Sequence, residues 1–107
     1  MAHLQSIRIG TTPTHTFTLP PALNEENLVV IEITYSQNDQ VVLQKNEQEC
    51  TVTGNTIEVT LSQEDTFTFA PKVDIEIQIR VVTDDRQVHS SDIKCVSCAR
   101  CLSSEVL

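Results

Sequence analysis

Val73-Asp74-Ile75-Glu76-Ile77-Gln78-Ile79-Arg80-Val81 decides the fold. Each odd position holds a β-branched aliphatic side chain, and each even position is polar or charged. That period of two puts one apolar face against a core and one polar face in water. A helix turning about 100° per residue would spread the same apolar set around its whole circumference. The stretch is therefore expected to be a central antiparallel strand.

Working outward, the other segments fall into the same class. Leu28-Val29-Val30-Ile31-Glu32-Ile33-Thr34-Tyr35 is a second strong strand. Its first half is apolar at every position, which implies cover on both faces, and from Ile31 onward the odd positions point inward. Gln37-Asn38-Asp39-Gln40 has the residues of a tight turn, so Gln40 to Lys45 should return as a hairpin arm, with Cys50 to Val52 continuing or restarting that edge. After the Thr53-Gly54-Asn55-Thr56 turn, Thr56 to Leu61 alternates with Ile57, Val59 and Leu61 inward. Upstream, residues 4–9 and Thr14 to Leu19 are further strands, separated by Gly10-Thr11-Thr12-Pro13 and closed by Pro20-Pro21, because proline cannot donate to a ladder. Ser62 followed by Glu64 and Asp65 has the form of a one-turn helix with a serine cap. That turn would carry the chain across to a second sheet, with Phe67 and Phe69 plugging the core behind it. Thr83 to Gln87 is a hairpin turn, and Val88 to Cys98 a last strand with His89, Ser91 and Lys94 on the wet side. About seven strands, with turn signals every 8–12 residues and no crossover helices, imply an all-β, immunoglobulin-like two-sheet antiparallel β-sandwich. Residues 1–99 form the sandwich domain and 100–107 a C-terminal tail.

Size and charge narrow the role. A chain of 107 residues is one domain with a single core. With 15 acidic against 7 basic residues, the net charge of -8 repels phosphate backbones and anionic lipid headgroups. Nucleic acid and membranes are therefore not expected partners. The N-terminus lacks the form of a secretory signal, and the longest apolar run, Leu28 to Ile31, is far too short to span a bilayer. Four cysteines, three of them clustered near the C-terminus, are not the scatter of a secreted disulfide scaffold and suit a reducing cytoplasm.

No catalytic constellation is apparent. Cys95-Val96-Ser97-Cys98-Ala99-Arg100-Cys101 is a CxxCxxC run, a spacing at which thiolates can hold zinc or an iron–sulfur cluster. No Gly or Pro lies between these cysteines to make their sulfurs converge. Strand periodicity would place Cys95 and Cys101 on one face and Cys98 on the other, and a fourth ligand would have to be the distant Cys50. The expectation is no bound metal and no cofactor, with Cys95 and Cys101 as small buried fillers. His3, His15 and His89 are scattered, without a catalytic partner at strand spacing. Glu25-Glu26, Glu64-Asp65 and Asp84-Asp85 are expected to be solvated turn acids rather than a calcium loop. Thr12 to Thr16 is a candidate exposed, threonine-rich edge. A small sandwich must protect or use its strand edges. Leu102, Val106 and Leu107 give the tail more apolar surface than a solvated end needs, which points to strand addition with a neighbour.

Five segments carry a family resemblance: Arg8-Ile9-Gly10-Thr11-Thr12-Pro13-Thr14-His15-Thr16-Phe17, Ile33-Thr34-Tyr35-Ser36-Gln37, Leu61-Ser62-Gln63-Glu64-Asp65-Thr66, Ile77-Gln78-Ile79-Arg80 and Arg100-Cys101-Leu102-Ser103-Ser104-Glu105-Val106-Leu107. Through them the chain resembles small proteins of phages and prophages of gut Firmicutes, and is more loosely similar to the N-terminal sandwich domain of phage baseplate upper proteins. The resemblance implies a virion or tail-associated structural protein that is made in the bacterial cytoplasm and is not an enzyme. Its partners would be other virion proteins, in a homo-oligomer or as repeated copies. It brings no catalytic residue with it. The alternative is a host-surface or carbohydrate-binding module using loops at one end of the sandwich. One tyrosine and no tryptophan weigh against that alternative, since sugar-binding faces favour such rings.

Overall fold

The computed structural model describes residues 6–107. The first expected strand is present as β1 (Ile7–Arg8); Leu4 lies outside the described residues. Then come β2 (Thr14–Thr18), β3 (Leu28–Gln37), β4 (Gln40–Asn46), a 3-10 turn (Glu47–Glu49), β5 (Cys50–Thr53) and β6 (Thr56–Thr60). The helix α1 (Gln63–Phe67) leads to β7 (Ile75–Thr83), β8 (Val88–Ser90), β9 (Lys94–Val96) and β10 (Cys98–Ala99). One sheet is ordered β2-β6-β5. The other is β4-β3-β7-β8, with β9 also on β7. All pairings within these two sheets are antiparallel, and the inward faces of both share one core. The protein is an all-β sandwich.

β7 is central, as its alternation demands. It pairs with β3 in a register that places Ile31 opposite Val81, Ile33 opposite Ile79 and Tyr35 opposite Ile77. Those residues and Ile75 are buried against Ile57, Val59 and Leu61 of the facing sheet. Each such aliphatic side chain contributes roughly 1.5–3 kcal/mol by leaving water. The β3–β4 hairpin turns on Asn38 and Asp39, with φ of 51° and 62°. Two successive positive values give the primed turn whose twist matches the strands. Ser62 caps α1 reciprocally with Asp65, and α1 carries the chain from one sheet to the other. Phe69 is buried with its ring 6.0 Å from that of Tyr35, while Phe67 is only half-buried.

Several expectations are corrected. There are ten strands among the described residues rather than seven, chiefly because the segment from Val88 to Cys98 is not one strand. Continuing the β8 register would put Ile93 opposite Ile77, but Lys94 stands there, so one extra residue is inserted around Ser91. Ser91 holds the break to β7: its N–H donates to Ile79 O (2.9 Å), and its Oγ accepts from Ile79 N (3.0 Å). The residues from Gln40 to Val52 also divide. β4 stays with β3, and the 3-10 turn hands β5 to the other sheet. The start of β3 is not covered on both faces, since Val29 and Val30 are exposed. The register slips at Val29, and Val30, Val82 and Val88 line up across three strands on the outer face instead.

Two buried polar side chains tie loops to the core. Gln37 Nε2 donates to Ala70 O (2.8 Å) and Val73 O (2.9 Å), while its Oε1 accepts from Ala70 N (2.8 Å). Thr66 Oγ1 accepts from Gly10 N (2.9 Å) and donates to Thr11 O (2.9 Å). Gly10 has φ of 85°, which favours glycine, and a Cβ there would crowd the Phe67 ring at 3.1 Å.

His15, only 4% exposed, shares a 2.8 Å hydrogen bond between its Nδ1 and the hydroxyl of Tyr35 on the opposite sheet. Burial lowers the His15 pKa. Burial also raises that of Tyr35, with Cys50 and Asp65 adding to the effect. The unfolded chain therefore takes up a proton on this histidine below about pH 6.5 while the folded chain resists it. Stability is expected to be greatest above that pH and to fall as pH drops from about 6.5 toward 5. Urea midpoints across this range check it: His15→Gln should remove the decline, and equal slopes in wild type and variant would contradict it.

Candidate functional site

The two ends of the described chain meet. β1 and β10 form a two-stranded parallel ribbon, with Ile7 opposite Cys98. Ile7 N donates to Ser97 O and Ile9 N to Ala99 O, both at 3.0 Å. Arg8 Nη1 donates to Arg100 O (2.8 Å) at the point where the tail departs. The tail then runs without regular structure to α1, where Gln63 clasps its end. Leu107 N donates to Gln63 Oε1 (2.8 Å), and Gln63 Nε2 donates to Leu107 O (3.1 Å). Gln63 thus mimics one rung of a ladder. Along this segment the apolar side chains are exposed, fully at Leu102 and Leu107 and by half at Val106 (91%, 101% and 52%). All three expected interaction residues lie at the surface.

The cysteines do not form the cluster their spacing allows. Among the described residues, no group of three His, Cys, Asp or Glu side chains is placed to hold a metal ion. The assignment of buried fillers is reversed: Cys98 is buried, while Cys95 and Cys101 are exposed. Cys98 points inward because the residue inserted around Ser91 shifts the alternation by one, putting Val96 and Cys98 on the buried face and Cys95 on the other. All four thiols are free. Burial raises the Cys98 pKa. Cys50 is raised too, by burial and then by Glu49 and Glu47. Cys95 is raised as well, by desolvation and then by Asp74 and Glu76, so access to reagent sets the order: the exposed Cys95 and Cys101 should alkylate first in the folded protein, the half-buried Cys50 slowly, and Cys98 only on unfolding. Peptide mass mapping after brief iodoacetamide treatment reads this order; early modification of Cys98 would contradict it.

The remaining candidates are dispersed. His89 is exposed, His3 lies outside the described residues, and His15 is the core histidine already described. His15 shares the odd phase of Phe17 and Leu19, the one sequence signal that could have placed it inside. Glu25, Glu26, Asp84 and Asp85 are exposed loop and turn acids, and Glu64 is exposed in the first turn of α1. Asp65 differs: it meets Lys45 at 2.8 Å, with only 17% and 12% of the two side chains exposed. Despite the opposing effect of burial, the Lys45 and Ser62 bonds hold its carboxyl below the usual range. This pair pins the β4 edge to α1. A depression of about 570 Å³ lies between the Asn38–Asp39 turn and the Lys72–Asp74 loop. Besides the Cys95 thiol it is lined by Asn38, the acids Asp39, Asp74 and Glu76, the basic Lys72 and the aliphatic Val73, with no aromatic ring on which a sugar could stack.

No family model, curated protein or solved structure matches the chain. No helix among the described residues is long and apolar enough to cross a membrane.

Proposed function

We propose that this chain is a non-enzymatic docking protein, a structural or adaptor component of a bacteriophage particle present in repeated copies. The observation that carries the docking part is the tail: three large apolar side chains exposed on a segment whose main chain is held by the side chains of Arg8 at its start and Gln63 at its end. A segment tied at its ends but bare along its length suits addition to a neighbouring protein, where apolar burial and main-chain bonds act together. The phage assignment draws its support from the sequence resemblance. The excess of acid disfavours nucleic acid or anionic membrane as the docking surface. The immunoglobulin type belongs to the same proposal, supported by the β2-β6-β5 and β4-β3-β7-β8 strand orders.

Deleting residues 102–107 tests the reading. The exposed tail side chains contribute little to the fold, so stability should change by no more than about 0.5 kcal/mol. Incorporation into particles of the encoding phage should be lost. A truncated protein that is incorporated as efficiently as the full chain would refute the docking role of the tail.

A further inference from the structure

We infer that β2 is a second, independent interface, through which two copies of this chain pair edge to edge in antiparallel fashion about a two-fold axis at Thr16. Leu61 N donates to Pro13 O and Leu19 N to Asn55 O, which fixes the phase of the β2–β6 ladder. His15 and Phe17 therefore bond toward β6. The main-chain N–H and C=O groups of Thr14, Thr16 and Thr18 point away from it, to the free edge. Among the described residues these groups meet no further strand. The three threonine side chains are exposed.

Natural sandwiches protect such an edge with charge, proline or a bulge. β2 has none of these: its prolines lie beyond its ends, and its pairing with β6 is unbroken. From Ile9 to Asn24 the chain has no Asp, Glu, Lys or Arg, its longest stretch without one. Of the other edges, β4 carries Lys45 and β9 carries Lys94, while β5 and β8 are shorter, at 4 and 3 residues, with charges close before their starts.

The occupant that fits is a second copy, because the edge is its own complement. Turned about Thr16, the outward residues pair as Thr16 with Thr16, and Thr14 with Thr18 in both directions. That gives about six main-chain hydrogen bonds and cross-strand threonine pairs, which are favourable. For a chain of net charge -8, self-association needs a contact free of like charge, and this edge supplies it. The nearest acid on the same face, Glu58 opposite Thr16 on β6, would lie about three strand spacings, roughly 14 Å, from its symmetry mate. That exceeds the Debye length of about 8 Å at physiological salt.

The inference does not depend on the tail or on the phage reading, and deleting residues 102–107 should leave the dimer intact. Sedimentation of the full chain should show a monomer–dimer equilibrium. Thr16→Lys and Thr16→Glu each place like charges face to face on the axis and should weaken the dimer by at least about fivefold. An equimolar mixture of the two variants should restore it, since opposite charges then meet. Amide exchange should show Thr14, Thr16 and Thr18 protected only at dimer-forming concentration. A protein monomeric at every concentration would overturn the inference, as would a dimer indifferent to both substitutions or one that leaves the three threonine amides unprotected. The mixture separates a misfolded variant from a blocked edge, because misfolded chains do not rescue each other.

Discussion

The fold depends on one pairing, that of β3 with β7. Ile31 with Val81, Ile33 with Ile79 and Tyr35 with Ile77 bring six buried side chains onto one face of two neighbouring strands. A slip of one residue would turn that whole set to solvent. The register is therefore enforced by burial over most of the length of both strands, and the rest of the larger sheet is built outward from it. The smaller sheet is then held over this face by apolar contact and by the His15–Tyr35 hydrogen bond, with Phe69 closing against Tyr35 from the crossover.

Where alternation is strict, the sequence and the structure agree in face and pairing, although β7 begins at Ile75 rather than Val73 and runs on to Thr83. β7, the second half of β3, β6 and the serine-capped crossover are all legible from residue type and period alone, because a single physical effect dominates each. Legibility fails where two effects compete. After Val88, apolar and polar positions no longer alternate, and the chain resolves the conflict with an extra residue at Ser91 and a change of partner at Cys98. Periodicity carries no record of such an insertion, so the burial of Cys95, Cys98 and Cys101 was inverted. Val29 and Val30 misled in another way: an apolar run suggests a covered face, but here it marks a register slip and an exposed valine row. The roles of Gln37 and Thr66 were invisible, because their value lies in main-chain groups more than 30 residues away in sequence.

Among the described residues, every buried side-chain nitrogen or oxygen has a hydrogen-bond partner. Such satisfaction gives rigidity and a unique core. Unmet bonding capacity lies at the periphery, in the uncovered side chains of the tail and the main-chain groups of the β2 edge. The candidate tail residues were legible because exposed leucine and valine at a terminus are conspicuous in an acidic chain. The β2 edge was legible only in outline, as a threonine-rich strand. Its direction of bonding required the register with β6.

Native-state amide exchange on the dilute protein tests most directly whether the β3–β7 pairing is the constraint on which the rest depends. The inward residues of β3 and β7 should exchange only through global unfolding, with free energies equal to that from urea denaturation. The β1–β10 ribbon and the tail should open locally and far more readily. If the ribbon were as protected as β7, or if β3 and β7 exchanged through separate local openings, the account of a fold organised around one register would be wrong.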